Sequence, residues 1–450
     1  MKENEENFKG KRITVMGLGR SGIAVSKLLL SRGADVFGSD SGNPDVNIDG
    51  LEFEKGEHSD RVFNADIMVL SPGIPMGHPV VKEAKKRNME IIGEVEVASK
   101  LFKGQLIAVT GTNGKTTTCA LINEMLKNGG IKTALGGNIS PGIPFSEAVV
   151  QSDIDTTMVI EISTFQLETI KSFRPFIGII TNISPDHLDR HKDFKTYVEL
   201  KRKLFINQLE SDYCILNFDQ DVTRKTQKRV KSLVYFFSIE HEVNRGCFLS
   251  GKDVVYKDGK KRTFLFSESD VLLQGKHNLE NVLAASTVSM IADCEINAIR
   301  KTVKEFSGVP HRLELIGEIE GVSFVNNSMC TNPVAFKRTI ESFKTPFVLI
   351  CGGRNKNLEL QKMVKPIKRA KSAVIIGESA KTLSKYLKKN GYANFIVAET
   401  MDEAVELAFK QASRGDTVLL SPGGSSFDMF VDFAARGNCF KESVKRLRNG

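Results

Sequence analysis

The sequence predicts an α/β protein of three domains, and three observations carry that expectation. One strand pattern runs into Gly17-Leu-Gly-Arg-Ser-Gly22, a second runs into Gly111-Thr-Asn-Gly-Lys-Thr116, and from about Gly308 a third set of strand patterns alternates with helical ones. Strands that alternate with helices imply parallel sheets, because a parallel neighbour is reached through a crossover. The 450 residues suffice for about two to four domains, each with its own core.

In the first unit, Ile13-Thr-Val-Met16 is followed by Gly17, Gly19 and Gly22, and a helical pattern continues through Ala24, Leu28 and Leu29. GxGxxG between strand and helix lets backbone amides approach a diphosphate. A second strand, Asp35-Val-Phe-Gly38, ends at Ser39-Asp-Ser41, which puts an acid about twenty residues on, where it can meet a ribose. On residues alone this unit suits a nicotinamide dinucleotide, or a plain strand–turn–helix whose glycines serve packing. A further strand, Asp66-Ile-Met-Val-Leu70, runs into Ser71-Pro-Gly-Ile-Pro75, a loop at a strand's carboxyl end, where such sheets bind ligands.

The middle unit opens with the apolar run Leu106–Val109, and Cys119, Leu121, Ile122, Met125 and Leu126 then recur at helical spacing. Between them lie Gly111, Thr112, Asn113, Gly114, Lys115, Thr116 and Thr117. Glycines let N–H groups close around phosphate oxygens, and the helix N-terminus adds its positive dipole end. In this setting Lys115 reaches the β- and γ-phosphates and the Thr116 hydroxyl ligates Mg²⁺. Val109 stands where the general P-loop has glycine, so the match is partial. The loop reads as an ATP site, with an ordinary Gly-rich turn as the alternative. A second Gly-rich turn, Leu135–Gly142, follows the helix.

The strand Thr157–Ile160 delivers Glu161, either a Mg²⁺-coordinating carboxylate or a solvated strand-end acid. Ile177–Ile180 leads to Thr181–His191, in which His187 suits a metal ligand or a packed loop histidine. Lys201 lies in the helical pattern Tyr197–Phe205, and composition alone makes it a surface lysine. Residues 212 to 272 are strand-rich, with Ser232–Phe237 among them, and Gly275-Lys-His-Asn-Leu-Glu-Asn281 starts a helix. Phe306–Glu314 reads as a linker with an exposed His311–Arg312 pair. The strands Val322–Val325, Phe347–Ile350, Ser372–Ile376 and Thr417–Leu420 follow, with polar loops at Asn326–Pro333, Gly352–Lys356, Gly377–Ser379 and Ser421–Phe427.

Composition excludes several classes. No apolar run approaches a membrane span, and the polar start Met1–Asn7 is no signal peptide. Seven cysteines, odd in number and without CxxC pairs, argue against a disulfide framework and place the chain in the cytoplasm. The net charge of +9 comes without an Arg-rich block or aromatic-interleaved basic patch, so nucleic acid is not indicated. It fits acidic small substrates such as nucleotides, or a generic lysine-rich surface.

GLGRSG, GTNGKTT, EISTFQLE, NISPDHLDRH, GKHNLEN, PHRLE and LLSPGGSSFD stand in an order that resembles the Mur ligase family, from about Arg12 to Arg436. GLGRSG, LSPGIP and STFQLE resemble the branch that adds D-glutamate to UDP-N-acetylmuramoyl-L-alanine in peptidoglycan precursor synthesis. The resemblance implies an N-terminal Rossmann-like UDP-binding domain over 1–97, a central P-loop ATPase-type domain over 98–307 and a C-terminal Rossmann-like domain over 308–450. It implies a cytoplasmic monomer with small-molecule substrates, ATP as co-substrate and a pair of Mg²⁺ ions.

Residue by residue, the resemblance places Gly17, Leu18, Gly19, Arg20 and Ser21 near the diphosphate and Asp40 and Ser41 near the uridine. Asn138 and Ser163 fall among the muramoyl-substrate contacts. Gly111 to Thr117, Asn278 and Arg312 fall on ATP contacts. Thr331, Lys356, Ser426, Phe427 and Phe433 fall on acceptor contacts. Thr116, Glu161 and His187 match Mg²⁺ ligands, and Lys201 matches the lysine carried as a carbamate. A carbamate is an anionic oxygen donor, where an ammonium would repel the metal. Lys115, Glu161, His187 and Lys201 form the implied catalytic set.

The chain departs from the family pattern in places. Asn327 replaces an aspartate that contacts the nucleotide, Met329 a lysine near the acceptor carboxylates, Pro185 a glutamate and Thr164 a serine. Arg354 lies two residues before Lys356, close enough in sequence to restore a positive charge. Three functions stay in view: a D-glutamate ligase with an adjusted acceptor site, the same chemistry with another amino acid, and a nucleotide-binding homologue without ligation. The complete catalytic set argues against the last.

Overall fold

The computed structural model describes residues 8–139, 142–186, 190–273, 275–343, 345–354 and 360–449. The chain divides into two compact units, Met1–Phe306 and Ser307–Gly450.

The first unit holds two sheets. Strands β1 (Arg12–Met16), β2 (Asp35–Asp40), β3 (Glu52–Lys55), β4 (Ile67–Leu70) and β5 (Glu90–Gly93) form a wholly parallel sheet in the order β3-β2-β1-β4-β5. The chain leaves β1 for one side and returns to β4 on the other, so a crevice opens at their carboxyl ends. Gly17 follows β1 there and Ser71 follows β4, and the Ser71 hydroxyl donates to the Gly17 carbonyl at 2.6 Å.

The second sheet contains β6 (Gln105–Thr110), β7 (Thr133–Gly137), β8 (Thr157–Glu161), β9 (Ile177–Ile180), β10 (Tyr213–Asn217), β11 (Leu233–Ser238), β12 (Arg245–Ser250), β13 (Asp253–Asp258) and β14 (Lys261–Ser267). Its order is β14-β13-β12-β11-β10-β9-β6-β8-β7. The pairs from β7 through β12 are parallel, as expected, but β12, β13 and β14 pair antiparallel. The connections explain the difference: Gly251-Lys252 and Gly259-Lys260 are two-residue links, which make hairpins and cannot make a crossover. β8 and β9 are buried along their whole length, as strands covered on both faces should be.

Helix Glu94–Leu101 joins the two sheets, and its Glu96 explains how they stay registered. Its carboxylate accepts from the backbone N–H groups of Lys171, Ser172 and Phe173 at 2.8, 2.8 and 3.0 Å. Burial pushes its pKa up, but the Ser172 hydroxyl and these amides more than reverse that, so the group stays ionised.

The second unit holds β15 (Glu314–Ile319), β16 (Val322–Asn326), β17 (Phe347–Gly352), β18 (Ser372–Ile376), β19 (Phe395–Val397) and β20 (Thr417–Gly423), in the order β15-β16-β20-β17-β18-β19. All pairs are parallel except the β15–β16 hairpin. β20 runs three residues beyond the expected Leu420, because Ser421, Pro422 and Gly423 are buried and continue the strand.

The expected exposed His311–Arg312 pair is corrected in part. Arg312 is exposed, whereas His311 is buried. Its Nδ1 lies 3.0 Å from Asn326 Nδ2, and its ring seats against Gly437, where a Cβ would come within 2.1 Å of it.

Candidate functional site

The GTNGKTT loop leaves β6 at Thr110 and enters the helix Lys115–Asn128 through Gly114. Gly114 has φ +81°, and a Cβ there would lie 2.2 Å from Asn281 Oδ1; Gly111 has φ +148° with Thr181 Oγ1 at 1.9 Å from the same imaginary atom. Only glycine fits either position. The following segment staples the loop: Asn113 N–H donates to Asn182 Oδ1 at 2.9 Å, and Asn182 Nδ2 and Thr181 Oγ1 donate to Asn113 O at 3.0 and 2.7 Å. By helix geometry the N–H groups of Lys115, Thr116 and Thr117 have no acceptor within their helix, so the turn is a ready anion cradle. Lys115 Nζ folds over the loop and donates to Thr112 O at 2.9 Å.

Glu161 ends β8 and is buried. It is not the solvated acid that sequence left open. Thr116 Oγ1 donates to its Oε2 at 2.6 Å, and Asn138 Nδ2 donates to Oε1 at 3.1 Å. Hydroxyl and carboxylate oxygens brought together under an anion cradle are the hard donors that Mg²⁺ prefers. Asn138 thus sits on the Glu161 carboxylate, a more specific place than its motif indicated.

Lys201 overturns the surface expectation drawn from composition: it is 2% exposed, on the inner side of helix Phe194–Arg202. Its Nζ donates to Gly111 O at 2.7 Å and lies 4.4 Å from the centre of the Tyr197 ring. Burial first, then the neighbouring Lys115 charge, pushes its pKa down to about 6 against the opposing pull of Asp186 and Glu161. At pH 7 the group is mainly a free amine. Lys115, Thr116, Glu161 and Lys201 therefore converge on one loop, while His187 lies outside the described residues.

Three supporting residues were not singled out from the sequence. Asn182 staples the loop as above. Tyr197 places its hydroxyl 3.2 Å from Thr112 Oγ1 and its ring beside Lys201. His191, buried, sets Nε2 3.0 Å from Thr164 Oγ1. That contact explains why Thr164 serves where the family has serine: the hydroxyl is what is used. All three lie in segments quoted for other residues, and only packing reveals their roles. Ser163 caps the short helix Thr164–Leu167 in a reciprocal box with Gln166, so its hydroxyl accepts the Gln166 N–H at 3.4 Å. Asn278 Oδ1 accepts from Asn281 Nδ2 at 3.4 Å, and Asn281 Oδ1 accepts from Thr118 at 3.3 Å, which brings GKHNLEN against the P-loop helix.

In the N-terminal sheet, Asp40 Oδ2 accepts from Leu18 N–H at 2.6 Å and Oδ1 from Gly42 N–H at 2.7 Å. Asp40 shapes the GLGRSG loop itself. Leu18 is buried in the core, so only its backbone faces the loop, while Gly19, Arg20 and Ser41 are exposed and Ser21 is half-buried. The Arg20 guanidinium donates to the Gly142 carbonyl, tying this loop to the middle domain.

In the second unit, Thr331 and Ser426 lie on loops and Phe433 opens helix Phe433–Asn449; Gly423 N–H donates to Cys330 O at 2.8 Å, and the Ser328 hydroxyl donates to Phe433 O at 2.7 Å. Ser426 is buried and Phe427 is 53% exposed. Asn327 is buried, donating to Thr339 Oγ1 at 3.0 Å and Ser421 Oγ at 3.4 Å. A neutral amide donates those bonds, which an ionised aspartate cannot. Arg354 Nε lies 3.7 Å from Glu378 Oε2, so its charge already has a partner. Lys356 lies outside the described residues. Nothing in the structure explains Pro185.

Fold and loop define a P-loop nucleotide-binding protein built on three α/β sheets. Family models match in the same order: "Mur ligase MurD-like, N-terminal domain" over residues 11–93, "Mur ligase middle domain" over 109–289 and "Mur ligase, glutamate ligase domain" over 311–424. A UDP-N-acetylmuramoylalanine--D-glutamate ligase from Caldanaerobacter subterraneus subsp. tengcongensis is 41% identical, covering 98% of this chain and 99% of the relative. A ligase of the same name from Koribacter versatilis is also 41% identical, covering 98% of both chains. Among solved structures, UDP-N-acetylmuramate-alanine ligase from Thermotoga maritima matches with a TM-score of 0.53 at 19% identity, over 97% of this chain and all of that one, which speaks to the fold. The chain belongs to the Mur ligase family, whose members are ATP-using ligases. Among the described residues no helix is long and apolar enough to cross a membrane.

Proposed function

We propose that the chain joins D-glutamate to UDP-N-acetylmuramoyl-L-alanine at the expense of ATP, through an acyl phosphate, in peptidoglycan precursor synthesis. The observation that carries this reading is the convergence of Lys115, Thr116, Glu161 and the buried amine of Lys201 on the GTNGKTT loop. Its substrates, ATP among them, place the reaction in the cytoplasm. The matched spans support domain boundaries at 97/98 and 307/308.

A carboxylate resists amines because its charge repels nucleophiles and oxide is a poor leaving group. Transfer of the γ-phosphoryl group to the L-alanine carboxylate removes both obstacles. The loop amides and Lys115 hold the phosphates and offset repulsion between two anions. The acceptor amine then adds to the acyl carbon, and the tetrahedral adduct collapses to amide and phosphate. Thr116, Glu161 and a carbamate on Lys201 fit Mg²⁺, with His187 as a further ligand by family position. When bound, Mg²⁺ supplies charge neutralisation on the phosphates. The free amine of Lys201 is the form that adds to CO₂, and its burial supports that modification.

Met329 is the one observation that favours a second reading, the same chemistry with another amino acid. The test is phosphate release with UDP-N-acetylmuramoyl-L-alanine, ATP and Mg²⁺ against D-glutamate, L-glutamate, D-aspartate and D-lysine. D-Glutamate should give the highest kcat/KM. Restoring the family lysine by Met329→Lys should lower its KM roughly tenfold, the worth of about one charge-assisted contact. Preference for another amino acid moves the assignment to the second reading; ATP binding without turnover on any of them leaves a nucleotide-binding homologue.

A further inference from the structure

Arg436 was not a candidate from the sequence, yet it is 1% exposed in the first turn of helix Phe433–Asn449. Its guanidinium bonds to two loops at once. Nε donates to Ser328 Oγ at 3.0 Å, Nη2 to Ser328 O at 2.8 Å and Nη1 to Gly424 O at 3.0 Å. Gly353 approaches from a third loop, where a Cβ would lie 3.1 Å from Nη1. Ser328 Oγ passes the contact on to Phe433 O.

A buried charge is costly unless paired, and these partners are a hydroxyl and two carbonyls, none of them charged. Asp428 acts on the guanidinium through space, while its own Oδ2 accepts the Glu378 N–H at 2.8 Å. Burial lowers the Arg436 pKa to about 10, so the group remains a cation at pH 7. For packing alone an apolar side chain would serve at least as well. A planar fork that reaches Ser328 and Gly424 together is what arginine offers and lysine does not.

Resting on the ligase reading above, we propose that Arg436 is a positioning residue for the acceptor amino acid. It fixes the spacing of the loops that carry Thr331 and Ser426 against the helix start at Phe433, and its cationic field favours an acceptor bearing an extra carboxylate. It thereby offsets the positive charge that Met329 lacks.

The test is steady-state kinetics of Arg436→Lys and Ser328→Ala, with thermal melting of each. KM is measured separately for D-glutamate, ATP and UDP-N-acetylmuramoyl-L-alanine. Arg436→Lys should raise the D-glutamate KM roughly tenfold or more, the loss of about one charged contact, with the other two KM values and kcat little changed. Ser328→Ala, which removes one of the three contacts, should move the same constant in the same direction by less. If the lysine variant does not fold, the alanine variant decides. An unchanged D-glutamate KM in a folded variant, or all three constants rising together as melting falls, overturns the inference. Absence of wild-type turnover with D-glutamate is a separate result: it refutes the ligase reading, and this inference with it.

Discussion

Lys115→Ala and Glu161→Ala are each expected to lower turnover roughly 10²-fold or more, the range seen when an electrostatic contact to a developing charge is removed. The two variants act on opposite sides of the same charge balance. Lys115 carries the cation that folds over the loop through Thr112 O, and alanine leaves the γ-phosphoryl group without it. Glu161 is the buried acceptor of the Thr116 hydroxyl and the Asn138 amide. Its loss frees both donors and removes the anionic oxygen that a metal needs. Release of ADP with UDP-N-acetylmuramoyl-L-alanine and D-glutamate present is the measurement. Near-normal ADP release by either variant would remove that residue from phosphoryl transfer.

Lys201→Ala is expected to be nearly inactive and to recover in part with a short carboxylic acid in solution. The reasoning starts from the amine. A lysine with its pKa near 6 is mostly uncharged at pH 7, and the lone pair of an uncharged amine is able to add to CO₂ with loss of a proton to give a carbamate. The change turns a neutral amine into an anionic oxygen donor suited to a metal. Uptake of CO₂ should grow as pH rises through about 6, since only the deprotonated amine reacts. Alanine leaves a space bordered by Gly111 O and the Tyr197 ring, into which acetate or formate can bring the missing oxygens. Carbon-13 spectra after exposure to labelled bicarbonate should show a carbamate resonance in the wild type that is absent from Lys201→Ala. An unmodified Lys201 at high resolution in an active Mg²⁺–nucleotide complex would contradict the account.

What could be read from sequence follows from what each signal reports. Periodicity and glycine spacing report local structure, so β1, β6, β9 and β18 stand within about a residue of their predicted places. The short edge strands β3 and β19 carry weak patterns, and they emerge only from pairing with β2 and β18. Lys201 marks a second limit. Its residue type argues for solvent, and only the tertiary placement against Gly111 makes it a buried amine. Family resemblance singled it out where composition could not. Arg436 escaped both routes, because a lone arginine in a helix carries no motif and its role exists only once the Ser328 and Gly424 loops meet.

The acyl phosphate is the central claim, and isotope transfer tests it most directly. UDP-N-acetylmuramoyl-L-alanine labelled with oxygen-18 in both carboxylate oxygens is turned over with ATP and D-glutamate, and the phosphate and product are weighed by mass spectrometry. If the carboxylate attacks the γ-phosphorus and the amine later expels phosphate, each phosphate carries one labelled oxygen and each new amide keeps the other. Phosphate released without label would mean that water, and not the carboxylate, receives the phosphoryl group, and the proposed chemistry would be wrong.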